Sequence, residues 1–271
     1  MTTLLTDRAA LIRNRLRARR APVTLLQDLA FDEVQDRLSI VNKSFTDIAI
    51  VTGAPENWQS LLPQAKIVAD EDTLDLAEAS LDLVVHAMSL HWANDPVGQM
   101  IQSRRALRAD GLFLGVLFGG ETLHELRACL GQAEVEVSGG MSPHIAPMAE
   151  IRDLGGLLQR AGFALPVADS FPLTVSYPTP LHLMREVRRM GEGNALHSRQ
   201  RKPMRRAVLE RAIELYAENF GDADGRVSAT FELIVLTGWA PADTQPKPLR
   251  PGSASARLAD ALGTDENPLR D

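Results

Sequence analysis

The sequence predicts an α/β fold, a doubly wound, mostly parallel sheet with a helical cap, and three observations carry that prediction. Short apolar, β-branched runs at residues 47–52, 65–69 and 81–85 alternate with stretches of helical spacing, the rhythm of strand–helix–strand units. The run Leu81, Leu83, Val84, Val85 is nearly continuous in apolar character, which suits a strand buried on both faces of a parallel sheet. That strand runs straight into a polar and aromatic tip, with His86, Ser89, His91, Trp92, Asn94 and Asp95 crowding its end. Open α/β sheets bind ligands beyond the carboxyl ends of their strands, so this tip is a candidate site. A strand end followed by a capped helix explains part of the same polarity.

The elements follow in order. Residues 1–45 read as two helices forming a lid or buttress ahead of the sheet. The first is basic, to about Arg20; the second runs from about Pro22 to Leu38, with Leu25, Leu26, Leu29, Val34 and Leu38 near helical spacing. Residues 47–52, DIAIVT, are the first strand, followed at once by Gly53. Only about 17 residues separate Gly53 from Asp70, whereas a strand–helix–strand unit takes roughly 30 or more. Asp70 and Glu71 open an acidic turn of the kind that starts a helix.

Asn94 or Asp95 before Pro96 is a helix start, and Val97, Met100, Ile101 and Leu107 mark the inward face of that helix. A turn at 108–111 leads to a buried strand at 112–118. Its end, Gly119-Gly120-Glu121, is expected to line a site, since two glycines permit close backbone approach. The segment GGMSPHIAP at 139–147 holds His144 between two prolines, where stiff backbone lowers the cost of presenting it; a rigid surface loop is the alternative.

A helix at 148–161 ends at Gly162, and residues 165–177 form a strand interrupted by Pro172, which belongs at a sheet edge. Residues 179–221 turn helical and form the cap, and Ala229–Gly238 closes the sheet. The proline-rich stretch 241–271 is expected to be an extended arm with a short helix near 254–262. The organisation expected is therefore a helical lid (1–45), a main domain (46–240) and this arm (241–271).

The chain has 271 residues and 45% hydrophobic content, enough for a full core. A net charge of −6 argues against general nucleic-acid binding, which needs a basic face. The single Cys129 lies in a helical pattern as a small buried hydrophobe and fits a reducing compartment. No run approaches the roughly 18 apolar residues of a membrane span, and the arginine-rich start has no apolar core of a secretory signal. A cytoplasmic location is expected. The histidines form no HExxH, HxD or HxE pattern, and one cysteine forecloses a cysteine site, so no metal site is expected. A G-x-S-x-G elbow is absent.

Several motifs in one order carry a resemblance: LDLVVHAMSLHWAND at 81–95, GGETLHELR at 119–127, SPHIAP at 142–147, DLGGLLQRAGF at 153–163, MGEGNA at 190–195, ATFELIVLTGW at 229–239 and PLRPGSA at 248–254. From about Asp28 onward they resemble class I S-adenosylmethionine-dependent methyltransferases, and most closely the complex I assembly factor 5 arginine hydroxylase family. The resemblance implies a methyltransferase, Rossmann-like fold, S-adenosylmethionine as cofactor and a protein substrate, a subunit of respiratory complex I during its assembly. It assigns Gly53, Asp70, Glu71, His86 and Ala87 to the cofactor side. His91, Trp92, Asn94 and His144 fall on the catalytic, substrate side.

The chain also departs from that family. The glycine-rich ExGxGxG loop expected after the first strand is reduced to VTGAPENW, with Pro55 removing a backbone donor. Residues 65–69 match the family's third strand, which leaves the sheet one strand–helix unit short. Glu56 and Glu71 are the acids left to contact a ribose, and a solvated loop acid is the commoner reason for either. Three functions follow: a methyltransferase, an arginine hydroxylase acting during complex I assembly, or a pseudoenzyme that works as an assembly or binding factor. Replacing His91, Trp92 or His144 is expected to abolish activity with little change in stability.

Overall fold

A computed structural model of the chain describes residues 4–246, 260, 263 and 264. The apolar runs become strands β1 (Ile48–Thr52), β2 (Lys66–Ala69), β3 (Leu81–Ala87) and β4 (Leu107–Phe118), joined by two long strands, β5 (Ala164–Tyr177) and β6 (Val227–Trp239). They form one sheet in the order β2-β1-β3-β4-β6-β5. The first four are parallel, and β6 runs antiparallel to both β4 and β5. Every residue of β1 is buried, as a central parallel strand requires.

The expected shortening has a simple geometry. Residues 53–65 hold a single helical turn, α3 (Pro55–Trp58), and the chain then returns as β2 directly beside β1. The strand read from sequence as the third of its kind therefore takes the place next to β1. Pro172 falls within β5, which pairs with β6 alone, and an edge strand tolerates the missing donor. The turn expected at 108–111 is absorbed into β4 as an irregularity, where the register against β3 shifts between Leu81 and Leu83.

Helices cover both faces of the sheet. On one lie α2 (Leu25–Ile40), α5 (His124–Ser138), α7 (Pro180–Arg189) and α8 (Arg206–Phe220). Leu26, Leu126, Leu183 and Tyr216 from these helices share a core with Ile50, Val85 and Leu114 of the sheet. On the other lie α4 (Pro96–Ala106) and α6 (Ile151–Arg160), whose Met100 and Leu158 pack with Val51, Val84 and Phe113. The alternation of Val84 and Val85 between the two cores follows from the strand period of two. Cys129 of α5 is buried in the first core, and burial raises its thiol to about 11, so it behaves as a packing group. Chain contacts divide the molecule at Pro241, with Ala242–Asp271 as a second unit. The helix expected near 254–262 lies almost wholly outside the described residues.

Asp95 starts α4. Its carboxylate accepts the Gly98 backbone N–H at 2.8 Å, with Pro96 in the first turn, and a Cβ at position 98 would collide with that carboxylate. The Asp95→Ala variant should lose about 1 kcal/mol of stability, the usual worth of such a cap, when measured by urea unfolding.

Candidate functional site

The register of the parallel strands builds the rim. Thr52 lies opposite both Ala69 and Ala87, so Gly53, Asp70 and Met88 leave the sheet side by side. Met88 adopts a left-handed backbone, φ 48°, an unusual and costly turn for a residue with a side chain. It swings the chain into a short 3-10 turn, Leu90–Trp92, beyond the ends of β3 and β4. The rim thus divides into a half at β1 and β2 and a half at β3 and β4.

Over the first half lies α1 (Arg8–Ala18), capped by the Asp7 carboxylate. Its Arg8 and Arg15 reach down to Asp70 at 3.1 and 2.9 Å, and the Asp70 side chain is only 6% exposed. Burial pushes the Asp70 carboxyl up, but the Arg15 and Arg8 guanidiniums outweigh it and hold the group below the ordinary carboxylate range. A Cβ on Gly53 would collide with the Arg15 guanidinium, so the close-approach space that this glycine leaves is already filled. Thr52, Gly53, Asp70 and Glu71 line a cavity of about 440 Å³ together with Arg8 and Arg15.

Those contacts bear on S-adenosylmethionine. Gly53 is the single glycine between β1 and β2, and the Ala54 N–H turns back to the Thr52 hydroxyl at 3.1 Å. Both Asp70 oxygens take guanidinium hydrogen bonds. With α1 docked in this way, a group that approaches Gly53 closely must displace the Arg15 guanidinium, while the cavity beside it stays open to Asp70 and Glu71.

The second half is different in kind. Trp92 donates its indole N–H to Glu192 Oε2 at 2.6 Å, and His91 Nε2 meets the same oxygen at 3.2 Å. Glu192 sits in the turn after α7. Asn14 of α1 holds that turn through the Gly193 carbonyl, and Asn194 ties it to the loop through the Pro143 carbonyl. Burial alone would raise the Glu192 carboxyl, yet His91, Arg15 and Trp92 outweigh it and hold the group ionised. The His91 ring lies 4.9 Å from that of Phe118.

Beside Trp92 opens a cavity of about 60 Å³, walled mainly by Phe118, Leu123, Met148, Met190 and Phe231, with Thr122, Glu192, His144 and Asn194 among its polar lining. His144 and Asn194 also line a polar cavity of about 450 Å³ rimmed by Lys202 and Arg205. His144 is held in turn by Glu134 at 3.0 Å, while Ser142 donates its backbone N–H and hydroxyl to the same carboxylate. The loop 142–147 is therefore fixed by a buried acid as well as by its prolines.

The structure brings Trp92 and His144 to one cavity, and Gly53, Asp70 and Glu71 to another. His91 stands behind Trp92 at Glu192. Asn94 faces away, its side-chain oxygen accepting the Thr6 backbone N–H at 2.9 Å and so tethering the N-terminal segment. His86 and Ala87 are fully buried and line neither cavity. The glycines at 119 and 120 do not open onto a ligand. A Cβ on either would meet the carboxylate of Glu232 or Glu150, and it is the following Thr122 and Leu123 that line the small cavity. The groups that sequence reasoning missed are Arg8, Arg15 and Glu192; the only signal for Glu192 was an acid between glycines in MGEGNA. Among the described residues, no group of three or more His, Cys, Asp or Glu is placed to hold a metal ion.

His86 has a different consequence. Its Nε2 bonds the buried Gln99 of α4 at 2.8 Å, and desolvation lowers the imidazole to about 4. The folded protein keeps it neutral while the unfolded chain protonates below about 6.5. Stability from this group is therefore complete above pH about 6.5 and falls as the pH drops toward 4, by on the order of 3 kcal/mol. Urea unfolding between pH 7 and 4.5 checks this, and His86→Gln should flatten the slope.

Sheet order, the crowded rim and helices on both faces define a methyltransferase-type α/β fold. The YcgJ protein of Bacillus subtilis shares the fold, with a TM-score of 0.50 at 10% identity over 79% of this chain and 99% of that one. A family model described as a methyltransferase domain matches residues 33–115. The chain is 39% identical over 246 residues to "Arginine-hydroxylase NDUFAF5, mitochondrial" of Danio rerio, covering 90% of this chain and 76% of that protein. It is 39% identical over 206 residues to the human protein of the same name, covering 76% of this chain and 59% of that one. The chain belongs to the NDUFAF5 family of class I methyltransferase-fold proteins.

Proposed function

We propose that this chain is an enzyme acting on a side chain of a protein substrate, a subunit of respiratory complex I during its assembly. The observation that carries the proposal is the formed cavity beside Trp92. It is apolar, it carries an ionised Glu192, and it continues past His144 and Asn194 toward a larger polar cavity of a size suited to flanking peptide. The family's printed name, arginine hydroxylase, supports a side chain as the target. Trp92 and His144 are assigned to the substrate wall, His91 to orienting Glu192, and Asn94 to holding the N-terminal segment. S-adenosylmethionine is assigned to the Gly53–Asp70 edge with Glu71 beside it, and its binding there requires Arg15 to withdraw; when bound, the group supplies a methyl donor. The lid (1–45), main domain (46–240) and arm (241–271) remain the proposed organisation.

Mass spectrometry of complex I subunits from cells with and without the protein tests the proposal. It expects one subunit to lose, in the absence of the protein, the mass of one oxygen atom (a hydroxyl in place of a hydrogen) or of one CH2 (a methyl in place of a hydrogen) on one residue. Unchanged subunit masses overturn it.

A second function is favoured by the Arg15 guanidinium at Gly53: a pseudoenzyme whose substrate side works as a binding surface for assembly. Unchanged masses combined with failed complex I assembly would select it. No helix among the described residues is long and apolar enough to cross a membrane. The eukaryotic relatives are named mitochondrial, and the one buried cysteine suits either that reducing interior or the cytoplasm.

A further inference from the structure

We infer that the polar cavity beyond His144 is a docking site for acidic residues, Asp or Glu, in the stretch of substrate that flanks the modified side chain, and that Lys202 and Arg205 read them. The inference rests on the proposed action on a protein substrate and adds the chemistry of the flanking segment and the residues that select it.

The cations of this part of the chain fall into two groups. Arg199 reaches the Asp7 carboxylate at 2.9 Å, Arg201 lies 3.8 Å from the same group, and Arg206 pairs with Glu210 at 2.7 Å. Lys202 and Arg205 lie among them in sequence and line the cavity of about 450 Å³, yet their side chains make no hydrogen bond or ion pair with any described residue. The acid of the cavity does not neutralise them. Glu134 is buried, both of its oxygens accept hydrogen bonds from Ser142, and its Oε2 also meets His144. Burial pushes the Glu134 carboxyl up, but Ser142 and His144 outweigh it and hold the group below the ordinary carboxylate range. Its charge is therefore spent on the loop 142–147, and the cavity is left with two unmatched positive charges. The whole chain carries a net charge of −6, so two such cations in one concavity are a local reversal of its field.

Position chooses the occupant. His144 and Asn194 line both this cavity and the apolar one beside Trp92, so a chain that places a side chain in the smaller cavity runs on into the larger. A lipid surface or a nucleic-acid backbone is met by a broad basic face. Here the two free cations share a concavity beside the substrate cavity, and their basic neighbours are paired within the chain. Both free cations are exposed, so an incoming carboxylate pairs with them without a large desolvation cost. Ser138 and Gln200 line the same cavity with no hydrogen bond from their side chains to a described residue, and they suit the amides of a peptide backbone. Pro203, between the two cations, stiffens the segment that carries them and lowers the cost of ordering it on a ligand.

The test uses the intact protein and two peptides of equal length, Ac-Ala-Glu-Ala-Glu-Ala-NH2 and its glutamine counterpart, followed by NMR at the Asn194 side-chain amide and the His144 ring. The glutamate peptide is expected to bind at least about fivefold tighter at low salt, the order that two partly exposed ion pairs supply together, and the preference should shrink as salt is raised. K202Q/R205Q should abolish the preference, and K202E/R205E should reverse it toward the lysine peptide Ac-Ala-Lys-Ala-Lys-Ala-NH2. R206Q removes a charge one residue away, where Glu210 already holds it, and should leave the preference intact. All three positions are exposed, and circular dichroism melting establishes that each variant is folded. Equal binding of the glutamate and glutamine peptides, no binding of either at their solubility limits, a preference that survives in K202Q/R205Q, or one lost equally in R206Q overturns the assignment. Equal peptide binding together with sedimentation on vesicles of phosphatidylcholine and one quarter phosphatidylglycerol, lost in K202Q/R205Q, would assign the pair to a lipid surface instead. In cells, subunit modification undiminished by K202E/R205E overturns the docking site and leaves the proposed function standing. A glutamate preference in a protein whose loss changes no subunit mass discards that function and keeps the site.

Discussion

Asp70→Asn should lower the free energy of unfolding by about 3 kcal/mol. The carboxylate sits between two guanidiniums, with Arg8 at 3.1 Å and Arg15 at 2.9 Å, and it is the most buried member of the trio. Removing the charge leaves two cations facing a neutral amide. Breaking a buried pair in this way costs roughly 3–5 kcal/mol, and the partial exposure of both arginines places the expected value at the lower end. The sign is instructive, because Asn is nearly the same size and no cavity is created. If the loss is electrostatic, Arg15→Gln in the Asp70→Asn background should recover part of it, and a double-mutant cycle by urea unfolding reads the coupling. A loss below about 0.5 kcal/mol would show that α1 is held by packing alone.

Trp92→Ala should cost about 3 kcal/mol, a large effect at a residue expected from sequence to be neutral for stability. Trp92 is 2% exposed and belongs to a small core of its own with Leu11, Ala146, Ala195 and Leu196. These neighbours come from α1, the 142–147 loop and the segment after Glu192, so one ring holds three pieces of the chain on the rim. Truncating it leaves a void and withdraws the indole N–H from Glu192. Trp92→Phe separates the two losses, since most of the packing returns and the hydrogen bond does not. Differential scanning calorimetry should show Trp92→Phe between wild type and Trp92→Ala. Trp92 walls a cavity on one face and is a core residue on the other, so the two roles are not exclusive.

The strands and their ends were legible because buried parallel strands write themselves as continuous apolar runs. Val84, Val85 and the polar tip after Ala87 marked the rim from the residues alone, and Asp95-Pro96 marked the start of α4. The departure at Gly53 was legible too, as a spacing too short for a full crossover. What pattern could not reveal was pairing across long sequence distance. Arg15 meets Asp70 across 55 residues, and Trp92 meets Glu192 across 100. Periodicity assigns a face to a residue but not a partner. Arg15 reads as one more solvated arginine in a basic helix until the fold lays α1 across the sheet. The glycines at 119 and 120 erred in the opposite direction, because the close approach they permit is taken up by Glu232 and Glu150 of the chain itself.

The proposed function makes one claim of the carboxyl-end rim: its substrate half is formed at Glu192, and Arg15 stands where the proposed cofactor would lie. Calorimetric titration of S-adenosylmethionine into the wild-type protein and into Arg15→Ala addresses it directly. Removing the guanidinium from Gly53 should tighten binding by about tenfold, the gain expected when a competing closed conformation is relieved of one of its two ion pairs. Equal affinities, or weaker binding by the variant, would contradict the claim that Arg15 stands in the cofactor's place.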